Sequence, residues 1–94
     1  MPRARNSRYD DDYRTLLAML IERRESSGVT QVELAERIGT SQSMLSKLER
    51  GVVRADLADL LNYLDGVGHD PRVFVDEFIE KIGWPKPQRR SNKK

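Results

Sequence analysis

Between residues 10 and 82 the apolar positions recur at helical spacing, and nowhere do they alternate as in a half-buried strand. The pattern predicts five helices. Asp10-Asp11-Asp12 sets three carboxylates where a helix N-terminus favours them, and the first helix then runs to about Ser26, before Ser27-Gly28. Thr30 and Glu33 form a capping box, opening a second helix that runs to Ile38 and stops at Gly39. Ser41 or Thr40 caps a third, which ends near Arg50 with Gly51 just beyond it. Asp56 caps a fourth, in which Leu57, Leu60, Leu61 and Leu64 repeat at i, i+3, i+4, i+7 before Gly66. Asp70-Pro71 starts a fifth, residues 71–82. The chain reads as all-α.

Two of these helices carry charges in unexpected places. In the first, Tyr13, Leu16, Leu17, Leu20 and Ile21 make one apolar stripe, and Arg24 projects onto its middle. A guanidinium facing a core needs a partner or a route to water. In the third, Gln42, Ser43, Ser46, Lys47 and Arg50 share one arc and Met44, Leu45 and Leu48 the other. The polar arc holds no carboxylate. Glu49, the one acid of that helix, falls on the border beside Leu45, where it is the natural partner of Arg24. A buried Arg24–Glu49 ion pair clamping the first helix to the third is expected.

Composition bounds the class. Ninety-four residues make one small domain. With no cysteine there is neither disulfide nor thiolate metal site, and a reducing, cytoplasmic interior is expected. No apolar run has the roughly 18 residues of a membrane-spanning helix, and the basic start lacks the apolar region of a secretory signal. The single histidine, His69, sits in a Gly-His-Asp-Pro turn; no metal, no cofactor and no catalytic triad is expected. The net charge of +2 hides an asymmetry. The arm of residues 1–9 carries Arg3, Arg5 and Arg8, and the tail of residues 85–94 carries Lys86, Arg89, Arg90, Lys93 and Lys94, with no acid in either. The centre between them has an acidic excess. Basic arms of this kind suit a polyanionic partner.

Residues 30–51, TQVELAERIGTSQSMLSKLERG, therefore supply two short helices joined at Gly39 by a tight turn. That is a helix-turn-helix pattern, whose second helix is sized for a DNA major groove. An acid-free outer arc avoids repelling phosphates, and Gln, Ser and Lys are residue types that read base edges.

The same block resembles the Xre-type, or Cro/repressor-type, helix-turn-helix domain of phage and bacterial regulators. The resemblance runs through Arg24, Gly28-Val29-Thr30-Gln31, Leu34-Ala35, Gly39, Ser41-Gln42-Ser43 and Leu45–Gly51 into the leucine-rich fourth helix, about 60% of the chain. It implies a five-helix, lambda-repressor-like bundle over residues 10–84 that binds double-stranded DNA, usually as a homodimer. By position it implies base contacts from Gln42, Ser43, Ser46 and Lys47. Gln31 would touch a phosphate or brace Gln42, and Thr40, Arg50 and Arg54 would hold phosphates. Met44 and Thr40 depart from the small polar and aliphatic residues usual at their positions. Phe74, Val75, Phe78, Ile79 and Ile82 of the fifth helix, with Tyr63 and Trp84, are expected at the dimer interface. The expected function is a dimeric repressor on a near-palindromic operator, with an antitoxin that binds a toxin and autoregulates its operon as the alternative. A helix-turn-helix scaffold that has lost DNA binding fits the acid-free arc less well.

Overall fold

The computed structural model describes residues 7–85, which form five helices and, among these residues, no strand. The basic tail from 86 onward and the first six residues of the arm lie outside them. Helix α1 spans Ser7–Ser26, α2 Gln31–Ile38, α3 Gln42–Glu49, α4 Leu57–Val67 and α5 Pro71–Ile82. Helix α1 begins three residues before the acidic triplet, since Ser7, Arg8 and Tyr9 contain nothing that breaks a helix.

Local chemistry sets most of the ends. Thr30 Oγ1 accepts from Glu33 N at 3.0 Å while Glu33 Oε1 accepts from Thr30 N at 2.9 Å, so α2 opens on a complete capping box. Gly39 ends α2 at φ 79°, in the left-handed region that glycine enters without penalty. Two residues later Ser41 Oγ accepts from Met44 N at 3.0 Å and starts α3. The turn is therefore short, and α3 is held at a defined angle to α2.

Helix α2 packs on α3 and α4, and α1 lies across α3, α4 and α5. The core is Leu17, Leu20, Val29, Leu34, Ala35, Leu45, Tyr63, Leu64, Val67 and Phe74. Consecutive arginines at the end of α1 point to different neighbours. Arg23 pairs with Glu77 of α5, and Arg24 reaches α3.

Helix α4 differs from its leucine pattern in two respects. Its buried side is Leu60, Tyr63, Leu64 and Val67, while Leu57 is 65% exposed and Leu61 is also on the surface. Leu61 lies about 100° around the helix from Leu60, at the edge of the stripe. Tyr63, read as a contributor to a dimer face, is 1% exposed and belongs to the core. The helix also passes through Gly66 and stops only at Gly68, which takes φ 86°. Gly66 is helical because α2 crosses it closely: a Cβ there would stand 2.5 Å from Leu34 Cδ1 and 2.8 Å from Ile38 Cγ2. Gly66→Ala is accordingly expected to destabilise by about 1–3 kcal/mol through overpacking, although alanine favours an isolated helix by about 1 kcal/mol. Urea unfolding measures it, and an unchanged or raised midpoint would show that α2 can move aside.

Candidate nucleic-acid interface

The site begins in the core. Glu49 is 5% exposed, and four donor groups meet its two oxygens. Arg24, 8% exposed, donates from Nε to Oε2 at 2.7 Å and from Nη2 to Oε1 at 3.1 Å. Its third nitrogen, Nη1, donates to Val29 O at 3.0 Å, so the guanidinium also fixes the entry to α2. Tyr63 OH donates to Oε2 at 2.6 Å, and Gln31 Nε2 to Oε1 at 2.8 Å. A buried ion pair is tolerable when each partner's remaining hydrogen-bonding capacity is used, as here.

These donors also decide the charge state. Burial works to raise the pKa of Glu49, but the hydrogen bonds from Arg24, Tyr63 and Gln31, with the charge of Arg24, outweigh it and hold the carboxyl below its ordinary value. The bond to Glu49 raises the pKa of Arg24 against desolvation. Burial, with the adjacent carboxylate, pushes the Tyr63 phenol far up, so it remains a donor.

The network runs outward to the surface. Gln42, the first residue of α3, donates from Nε2 to Gln31 Oε1 at 2.7 Å. Gln31 thus braces Gln42 and joins it to Glu49. Along the same face Ser43, Lys47 and Arg50 are exposed and Ser46 is half-buried, its Oγ accepting from Arg50 Nε at 3.2 Å. Glu49 points away from this face, and the first turn of α3 contains no acid. The outward arc of α3 is uncharged at its start and cationic at its end.

The remaining residues expected to touch DNA sit apart from this row. Thr40 is half-buried in a small groove between α3 and α4, beside Met44, Leu48 and Asp59. Arg54 lies beyond α3 with its guanidinium 4.1 Å from the ring centroid of Tyr13, whose hydroxyl accepts from Ala55 N at 2.9 Å. Of the residues assigned to a dimer face, Phe74 is 1% exposed and is a core residue, packed edge-on against His69 with ring centroids 6.1 Å apart. Phe74 stands at one edge of a wide apolar arc on α5, and the bundle buries that edge while the other, toward Val75 and Ile79, stays exposed. Val75 and Ile79 are exposed and Phe78 and Ile82 half-buried; with Tyr13, Leu16 and Trp84 they line an open apolar groove between α1 and α5. Tyr63 is the functional residue that sequence reasoning misplaced. The signal was its position, three residues after Leu60 on the apolar side, since a buried tyrosine hydroxyl needs a polar partner and Glu49 was the buried acid at hand.

Among the described residues no group of three His, Asp or Glu is placed to hold a metal ion, and no helix is long and apolar enough to cross a membrane. The arrangement is that of a surface which binds: a rigid short helix, supported from the core, with hydrogen-bonding and cationic side chains facing outward.

Comparison with known proteins agrees with that geometry. The helix-turn-helix family model matches residues 20–68. Among solved structures, an XRE-family like protein from Pseudomonas syringae pv. tomato str. DC3000 is similar, with a TM-score of 0.75 and 34% sequence identity over 78% of this chain and 89% of that one. No curated protein matches. With its five helices, its short α2–α3 turn and this family match, the chain belongs to the Xre family of DNA-binding helix-turn-helix regulators.

Proposed function

We propose that the protein is a cytoplasmic, dimeric repressor that occupies a near-palindromic operator by laying α3 in the major groove. The observation that carries this reading is the exposed acid-free arc of α3, with Gln42 at its leading end already held by Gln31. Gln42, Ser43, Ser46 and Lys47 meet base edges. Gln42 is suited to the N6 and N7 edge of adenine and Lys47 to guanine or a phosphate. Gln31, Thr40, Arg50 and Arg54 hold the backbone and set register rather than sequence. Regulation needs no chemical step: occupancy is enough.

The second copy would seat on the groove of Val75, Phe78, Ile79 and Ile82, with Trp84 beside it. A two-fold pair built there would present two α3 helices to half-sites about 34–36 Å apart. A toxin would use the same apolar face in the antitoxin reading, and recovery of a heteromer in place of a homodimer would move the assignment there.

In vitro selection of bound DNA tests the proposal. The expected result is an inverted repeat with half-sites about one helical turn apart. Gln42→Ala should then lose about 1–3 kcal/mol on the selected site and almost nothing on random DNA. A pool that does not enrich would overturn the reading.

A further inference from the structure

Residues 51–56 lead from α3 to α4, and their backbone is tied in three directions. At the start, Gly51 N bonds back into α3 at Leu48 O, 3.1 Å away, and Val52 N at Lys47 O, 2.8 Å away. At the end, Asp56 N donates to Asp59 Oδ2 at 3.0 Å and belongs to the cap of α4. Between them Ala55 N donates at 2.9 Å to the hydroxyl of Tyr13, on α1. Its neighbour Arg54 sets its guanidinium 4.1 Å from the centroid of that same ring. One tyrosine thus holds both the backbone and the cation of this segment.

Tyr13 is a firm base for such a hold. It stands on the longest helix, is half-buried, packs against the core, and shares the wall of the α1–α5 groove with Leu16 and Phe78. Arg54, by contrast, is exposed on a connecting segment. An exposed arginine has many rotamers to lose when it grips a phosphate. Attraction to the ring quadrupole removes some of that freedom beforehand. The attraction is not to a lone pair, so it makes no demand on the fork of N–H donors that fits a phosphate.

From this arrangement we infer that Tyr13 is a positioning residue for the DNA backbone. Its ring and hydroxyl mount Arg54 on α1 in the pose that meets a phosphate beside α3. The register of the reading helix is then set partly from α1, a helix to which no DNA contact is assigned. The inference rests on the proposed role of Arg54 as a phosphate contact.

Salt dependence tests it, because log K falls against log salt with a slope of about −0.9 per phosphate neutralised. The experiment uses the full chain and the operator from the selection above. Arg54→Ala should make the slope shallower by about one per subunit. Tyr13→Leu keeps apolar bulk but discards the ring face and the hydroxyl, and should show about half of that change or more. Tyr13→Phe keeps the ring and should keep the wild-type slope. The double variant should match Arg54→Ala alone, since the two residues act as one unit. A merely structural role for Tyr13 would lower the melting temperature and leave the slope unchanged. A second measurement needs no variant: in NMR spectra of the wild type, the Arg54 Hδ protons should be shifted upfield by the ring and stay shifted in the DNA complex. A wild-type slope in Tyr13→Leu, or loss of the upfield shift in the complex, overturns the mount while leaving the phosphate contact. A wild-type slope in Arg54→Ala overturns contact and mount together and leaves base reading by α3 intact. Failure of the wild type to select any site overturns the proposed function as well.

Discussion

Glu49→Ala is expected to remove about 3–5 kcal/mol of folding stability. For a domain of this size that corresponds to a fall in melting temperature on the order of 20 °C. The loss comes less from the ion pair itself than from what the truncation leaves behind. Arg24, 8% exposed, would keep its charge without a carboxylate, bonded to Val29 O, and the hydroxyl of Tyr63 would be left to Leu20 O at 3.2 Å. Against a total stability of about 5–15 kcal/mol, such a loss leaves a marginal fold. Circular dichroism during heating measures it, and a melting point within a few degrees of the wild type would show that water reaches the cluster. The same carboxylate makes stability depend on pH in a definite direction. Its pKa is lower folded than unfolded, so its contribution is complete above the ordinary carboxylate value, about 4, and is lost as pH falls through the lower folded value. Glu33 and Glu77 also titrate low, through bonds to Thr30 and Arg23 respectively, and add to the acid loss. The difference between wild type and Glu49→Gln isolates the share of Glu49: the variant should lose less stability on acidification.

Phe74→Ala is expected to cost a comparable amount, about 3–5 kcal/mol, for an unrelated reason. The ring is 1% exposed and closes the bundle where α5 meets the rest of the core, packed edge-on against His69 at an interplanar angle of 88°. Truncation removes its apolar surface from the core and leaves a void that helices tied at their ends do not collapse to fill. Had Phe74 belonged to a subunit interface, the substitution would leave the monomer intact and change only association. Thermal unfolding followed over a range of protein concentrations separates the two. A loss independent of concentration is the expected outcome, and a purely concentration-dependent one would return Phe74 to the surface.

Features fixed by neighbouring residues in the chain are the ones that can be read from sequence. The T-x-x-E box at Thr30, the serine before α3 and the glycine after α2 each satisfy backbone groups within a few residues, so the ends of α2 and the start of α3 follow from local chemistry. Arg24 and Glu49 could be matched across 25 positions because Arg24 was a charge projecting onto an apolar stripe and Glu49 the one acid at the edge of another. Features decided by a distant element could not be read in the same way. Gly66 looks like a helix end and is a crossing point, because only the approach of Leu34 distinguishes the two. Tyr63 and Phe74 look equally able to face inward or outward, since α4 and α5 have more apolar surface than one core can cover. Which side turns inward depends on where α1 and α2 lie.

The adjacent arginines at the end of α1 have a mechanical consequence. Side chains one residue apart on a helix diverge by about 100°, so a single turn reaches α5 through Arg23 and α3 through Arg24. In the proposed dimer, the subunit-joining helix and the DNA-reading helix are thus braced to one strut by two charged ties, with no flexible segment in between. A pair of readers mounted so stiffly has a fixed gauge. One base pair inserted at the centre of the operator moves the half-sites apart by about 3.4 Å and rotates them by roughly 35°. In such a dimer, with no loop between the two ties among the described residues, the cost of the misfit would fall on the bending and twisting of the DNA.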